Sequence, residues 1–302
     1  MDEKKLLFLY HADSGKGKIK NKLSDILNLF VAAGYTVTVR PTQAKGDATD
    51  YIMKHASEYE RIICSGGDGT LDEVVNGLVK ADCKLPIGYI PTGSTNDFAS
   101  GLGISKNPLK AAKDILYGDV FACDMGMFDE RPFIYVAAFG LWTEVSYETD
   151  QKFKNAFGHM AYVLEGIRSI GNIRSYPMQI VAGDTIIKDE FIYGMVSNSN
   201  TIGGYKIFPK GDVVLDDGEF EVLLVKSPRN PGELNEMITS LLAQEMDPEY
   251  LYYFRASEIE FISEEEIPWT LDGENGGAHK SVILKNCKQA IKIYTGKSVR
   301  RT

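Results

Sequence analysis

The run Gly66-Gly67-Asp68-Gly69-Thr70 has the residue types and spacing of a phosphate site. It follows Arg61–Ser65, which reads as a short buried strand, and precedes Leu71–Leu78, which reads as the start of an amphipathic helix. Glycines let backbone N–H groups approach a ligand closely, and a helix N-terminus adds a positive dipole end. Asp68 is a poor phosphate ligand but a good partner for the metal that a nucleotide carries. A tight turn joining two elements is the plainer alternative.

Two further loops share this character. Ser14-Gly15-Lys16-Gly17-Lys18 follows the first apolar strand, and Pro91-Thr92-Gly93-Ser94-Thr95-Asn96-Asp97 follows the strand at Ile87–Ile90. One glycine loop is a weak signal; three at one edge of a sheet make a nucleotide pocket. No GxxxxGK[ST], complete GxGxxG after a strand, protein-kinase motif set or HExxH occurs. Carboxylates recur later, in Asp216-Asp217-Gly218-Glu219 and in Asp272-Gly273-Glu274. Each Asp-Gly also reads as a hairpin turn. If Asp272 and Glu274 lie in a strand, both side chains share one face. Paired acids suit either holding a metal or removing a proton from a hydroxyl.

The elements that must position these loops alternate over the first 125 residues. Strands are expected at Leu6–Tyr10, residues 35–39, Arg61–Ser65 and Pro86–Ile90. Helices are expected between them, over residues 23–31, Asp47–Ala56, Thr70–Lys80 and Pro108–Tyr117. This βαβ alternation predicts a parallel sheet covered by helices, with ligands at the carboxyl ends of its strands. After about Asp124 strands dominate. They are expected at Phe133–Phe139, Met178–Val181, Ile186–Ser197, Phe220–Val225, Ile259–Ile262, Val282–Leu284 and Ile291–Tyr294. Helices are expected only near Asn155–Ile170 and Pro231–Gln244, and an antiparallel sandwich or half-barrel follows. The expected division is 1–126 with 289–302 against 127–288, with a cleft between the two parts.

Length fits two domains at roughly 100–200 residues each. Four scattered cysteines form no CxxC pair, which argues against zinc and fits a reducing, cytoplasmic setting. The start reads as a strand rather than a signal peptide. No apolar run approaches the ~18 residues that span a bilayer. A net charge of −9 argues against nucleic acid. From Lys285 to Thr302 the chain carries six basic residues and no acid. This tail reads as a solvated edge, or as a contact to anionic headgroups at the inner membrane surface, worth roughly 1 kcal/mol per basic residue.

Taken in order, these motifs resemble the diacylglycerol kinase catalytic-domain family, in its bacterial soluble branch. The resemblance rests on Ser14–Gly17, Thr42 with Gly46-Asp47-Ala48, Gly66–Gly77 and Pro91–Ala99. It continues through Phe157–Tyr162, Ser197-Asn198-Ser199, Gly203-Gly204, Pro209, Asp216–Gly218 and Asp272–Glu274. It implies an N-terminal three-layer α/β domain like those of NAD kinase and phosphofructokinase, and a C-terminal β-sandwich. It implies ATP and Mg²⁺ as cofactors and phosphorylation of a lipid hydroxyl at a membrane surface, with diacylglycerol or a related neutral lipid as substrate. Homodimerisation stays open. The alternatives are a kinase for a soluble alcohol or NAD, and a nucleotide- or lipid-binding regulator without turnover.

Roles follow from the resemblance alone. His11, Ala12, Asp13, Ser14 and Gly15 would line the nucleotide, with Thr42, Ser94, Asn96 and Asp97. Gly66, Gly67, Asp68, Gly69, Thr70, Leu71, Asp72 and Glu73 would cradle its phosphates, Asp68 acting through Mg²⁺. Glu274 would be the general base, with Asp272 its neighbour at the reacting phosphate. Asp217 would bind a structural Mg²⁺ with backbone carbonyls of Val214 and Glu219. This chain departs from the family at three places. His11-Ala12-Asp13 stands where Asn-Pro-x is usual, Ser94 replaces Thr, and Ser100 replaces Arg.

Overall fold

A computed structural model describes residues 4–140, 174–199, 201, 208, 213–243 and 245–297. The helix expected near Asn155–Ile170, with Phe157–Tyr162, lies outside the described residues, as do Gly203-Gly204, Pro209, Arg300 and Arg301. The chain divides into two compact units: Met1–Met125 with Gln289–Arg301, and Gly126–Lys288.

The first unit is α/β. Strands β1 (Lys4–Tyr10), β2 (Tyr35–Pro41), β3 (Arg61–Gly66) and β4 (Ile87–Pro91) are parallel, in the order β2-β1-β3-β4. Helices α1 (Leu23–Ala32), α2 (Asp47–His55), α3 (Asp68–Lys80), α4 (Asp97–Gly101) and α5 (Pro108–Tyr117) connect them. Leu6, Phe8, Ile26, Phe30, Ile63, Ile90 and Ile115 form part of the core, all fully or almost fully buried. Alternation of strand and helix puts the ends of β1, β3 and β4 at one edge, where each is followed by a glycine-bearing loop.

The second unit is rich in antiparallel strands. They are β6 (Arg131–Phe133), β7 (Val136–Gly140), β8 (Tyr176–Ala182), β9 (Thr185–Ser197), β10 (Phe220–Lys226), β11 (Leu251–Ala256) and β12 (Glu258–Leu271). Helix α6 (Pro231–Ala243) interrupts them. Trp269 sits 4.9 Å from the Phe139 ring and 5.1 Å from that of Phe261, at the centre of an aromatic core. Strands β5 (Asp119–Phe128) and β13 (Glu274–Thr295) each carry the chain across the unit boundary.

Strand expectations change in several places: β5 was not expected, and β12 runs well beyond Ile259–Ile262. Phe133–Phe139 is not one strand: it breaks at Ile134 and Tyr135, whose N–H groups are held by the Asp272 carboxylate instead of a neighbouring strand. Val282–Leu284 and Ile291–Tyr294 belong to the single strand β13. The polar residues between them sit on exposed or half-buried positions that a ladder tolerates. Strand β11 was not expected; Tyr252, Tyr253 and Phe254 are only half-buried, so its alternation is faint.

Helices α2 and α3 meet through Gly77. A Cβ there would lie 2.8 Å from Ile52 Cβ and 2.9 Å from the Thr49 carbonyl. Replacing a helical glycine by alanine normally gains about 1 kcal/mol. Gly77→Ala is expected instead to destabilise the protein by about 1–3 kcal/mol in urea unfolding, because the close approach is lost. Unchanged or raised stability would contradict this packing.

Candidate functional site

In the first unit the three loops converge. His11 N–H donates to the Ser65 carbonyl at 2.9 Å, which joins the end of β1 to β3. The Thr92 and Gly93 N–H groups donate to the Gly66 carbonyl at 2.8 and 3.1 Å, which joins β4 to β3. Gly15 has φ +55°, and a Cβ on it would lie 1.8 Å from the Thr92 carbonyl oxygen. A Cβ on Gly93 would lie 2.5 Å from Gly67 Cα. Side chains at Gly15 or Gly93 would push the loops apart. Their absence brings bare backbone together.

Helix α3 begins at this place. Its N-cap, Gly67, has no side chain to cover the first N–H groups. A helix end left this way is suited to an anion. Thr42, just beyond β2, keeps its Oγ1 buried with no hydrogen-bond partner among the described residues. A buried hydroxyl in that state calls for a ligand or water partner. Ser94 is exposed. Leu71 is fully buried in the core, so only its backbone could reach a ligand.

The acids of these loops hold backbone. Asp68 accepts from the N–H groups of Asp97 at 3.0 Å and Phe98 at 3.3 Å, which caps α4 and fixes one loop to another. Glu73 accepts from Gly46 N–H at 2.8 Å and Ala48 N–H at 3.1 Å, covering the start of α2. The Glu73 carboxylate is thus engaged at the start of α2. Asp72 accepts from the Asn76 side chain at 2.9 Å. Asn96, at φ +56°, bonds Gly93 through both ends of its carboxamide at 2.9 and 2.8 Å. Asp13 is exposed beside Lys20, and that hydrogen bond holds its carboxyl below the usual range. Burial alone would raise the Asp47 carboxyl, but bonds from Arg40 and the Gln43 N–H outweigh it and hold it low. Burial pushes the Cys64 thiol up, so it stays an inert core group.

The acids of the second unit are disposed differently from the expectation. Asp272 and Gly273 form a two-residue turn between β12 and β13, with φ of +51° and +81°. The strand-face argument for Asp272 and Glu274 therefore fails, since a turn residue does not follow the two-residue alternation. Asp272 is 5% exposed and accepts three N–H groups, from Ile134 at 2.6 Å, Tyr135 at 2.9 Å and Val136 at 3.0 Å. Glu274, at the start of β13, is half-buried.

Asp217 meets Glu219 N–H at 3.0 Å and the Arg255 guanidinium. Arg255 also faces Glu219 at 3.4 Å and Glu221 at 3.6 Å. No group of three metal-ligating side chains occurs among the described residues. Arg255 is the cation that faces Asp217 here, whereas the expected Mg²⁺ would draw on the Asp217 carboxylate and the backbone carbonyls of Val214 and Glu219.

The family profile of the diacylglycerol kinase catalytic domain matches residues 5–128. A diacylglycerol kinase of Staphylococcus carnosus is 34% identical over 302 residues, 99% of this chain and 97% of that protein. One of Bacillus subtilis is 33% identical over 278 residues, 91% of each. The chain belongs to the diacylglycerol kinase family. A crystal structure of a Bacillus anthracis protein proposed to be a diacylglycerol kinase aligns with this kinase at TM-score 0.86. It is 28% identical and covers 99% of this chain and 98% of its own. The enzyme is thus a lipid kinase, and kinases of this family take ATP as the phosphoryl donor. No helix among its described residues is long and apolar enough to cross a membrane.

Sequence reasoning passed over one further acid. Asp124 is fully buried in β5 and accepts from Gln289 N–H at 2.7 Å. A lone acid inside the run Val120–Met125 was the available signal.

The arginine assignment has a direct test. Asp217→Asn is expected to lower stability by on the order of 1 kcal/mol. In nucleotide-free protein the drop in melting temperature should be the same in EDTA and in millimolar Mg²⁺. A Mg²⁺-dependent rise in the wild type that Asp217→Asn abolishes would restore a metal to this turn.

Proposed function

We propose that the enzyme transfers the γ-phosphoryl group of Mg-ATP to the free hydroxyl of diacylglycerol or a related neutral lipid, with Glu274 as general base. The observation that carries the nucleotide half is the bare backbone around Gly67 and Gly93 at the uncapped start of α3. The neighbouring orphan hydroxyl of Thr42 supports it. These residues fit a triphosphate, since N–H donors and a helix end stabilise negative charge with little sequence machinery.

ATP supplies the activated phosphoryl group, and a divalent cation neutralises charge on it. Asp68, at the start of α3 beside these loops, would hold such a cation through its carboxylate. Ser14, Gly15, Ser94, Asn96 and Asp97 complete the loops that fix the nucleotide. In the reaction a bond forms between the lipid oxygen and the γ-phosphorus while the β–γ bridging bond breaks. Glu274 takes the hydroxyl proton. Phosphoryl transfer depends on positioning and charge stabilisation more than on covalent chemistry, which is what rigid backbone loops provide.

A neutral lipid substrate resides in a bilayer, so the enzyme meets it at a membrane surface. Lys288, Lys292 and Lys297 are exposed and available to anionic headgroups, whereas Lys285 pairs with Glu258 at 3.1 Å.

Glu274→Gln keeps size and most hydrogen bonds but cannot take a proton. Its kcat is expected to fall about 10²–10⁴-fold with little change in lipid KM or ATP affinity. Retention of more than about a tenth of wild-type kcat would remove Glu274 as the base.

A further inference from the structure

Asp272 sits at the head of a chain of bonds within the second unit. Its carboxylate holds the N–H groups of Ile134, Tyr135 and Val136. Its own N–H donates to the Val136 carbonyl at 2.8 Å. The Tyr135 carbonyl accepts from Asn198 N–H and from the Ser197 hydroxyl, both at 3.0 Å. The Ser197 hydroxyl in turn accepts from Ser199 N–H at 3.1 Å. Ser197, Asn198 and Ser199 are 0–2% exposed, a buried polar row at the end of β9. Burying such groups is costly unless each is held by hydrogen bonds.

We infer that Asp272 is a positioning residue, fixing the turn that presents Glu274 and the Ile134–Val136 and Ser197–Ser199 segments joined to it, and that it does not contact the reacting phosphate. The inference rests on Glu274 being the base. Three backbone donors converge on a carboxylate that is almost wholly buried, so its oxygens point into the protein. Asp is among the few residues with a Cβ that tolerate φ +51°, and the three accepted bonds hold it there. Fixing Asp272 there fixes the two-residue turn, and the turn sets where Glu274 leaves it. A misplacement of about 1 Å at a reacting group costs on the order of 10²-fold in rate.

The role predicts masking. Asp272→Asn keeps a side chain tolerant of the turn, but its amide nitrogen cannot accept the bond that one carboxylate oxygen takes from Ile134 N–H. It should lower kcat about 10–100-fold in the wild-type background. In the Glu274→Gln background, where there is no base left to position, the same change should cost less than about threefold. Ser197→Ala disturbs the same chain of bonds without touching the turn. It should lower kcat by a smaller factor and be masked in the same way, which keeps the test open if Asp272→Asn folds poorly. Melting temperatures, read in parallel, fall equally in both backgrounds and so separate rate from stability. If Asp272→Asn lowers kcat by its full factor on top of Glu274→Gln, Asp272 acts directly and the inference is wrong. If Glu274→Gln alone is near normal, the failure lies in the assignment of the base.

Discussion

Carboxylates that accept backbone N–H groups hold the loops of this enzyme in place. Asp68 ties the loop after β3 to the start of α4, Glu73 closes the start of α2, and Asp272 gathers three consecutive N–H groups of the β6–β7 break. A hydrogen bond to an ionised group contributes about 1.5–3 kcal/mol, roughly twice a neutral one. The benefit is geometric as well. A short acid reaches across the fold and fixes main chain that has no regular secondary structure to fix it. Loops built this way stay rigid, and rigid loops are what a reaction governed by positioning needs.

The same logic explains how a protein of net charge −9 can hold a polyphosphate. The loops proposed to hold the nucleotide offer main-chain N–H groups and a helix end, brought close because Gly15, Gly67 and Gly93 have no side chains to separate them. Acids stand nearby, yet hydrogen bonds turn Asp68 and Glu73 onto other N–H groups. Negative charge is thereby held to specific donors, and the ligand edge is left to backbone dipoles.

Much of this was legible in the residues. Parallel strands and glycine loops of the first unit follow from local patterns: apolar runs of five, helical spacing, and glycine where backbone must approach backbone. Asp-Gly at 272–273 read correctly as a turn signal, but the strand-face argument that paired Asp272 with Glu274 ignored it. What the sequence hid was long-range. Asp272 and its partners Ile134–Val136 are more than 130 positions apart. Glu73 lies 25–27 positions from the N–H groups it caps. No periodicity reports a bond between a side chain and distant main chain. For the same reason Arg255 could not be foreseen as the cation beside Asp217, 38 positions away.

The central claim is that this chain phosphorylates a lipid hydroxyl from ATP. Transfer of label from γ-labelled ATP should be measured in mixed micelles containing diacylglycerol or other neutral lipids, with NAD and soluble polyols as controls. The account predicts a labelled phospholipid from diacylglycerol or a close relative, a requirement for divalent cation, and no labelled product from the controls. Label on NAD or a polyol, or none on any lipid, would contradict it.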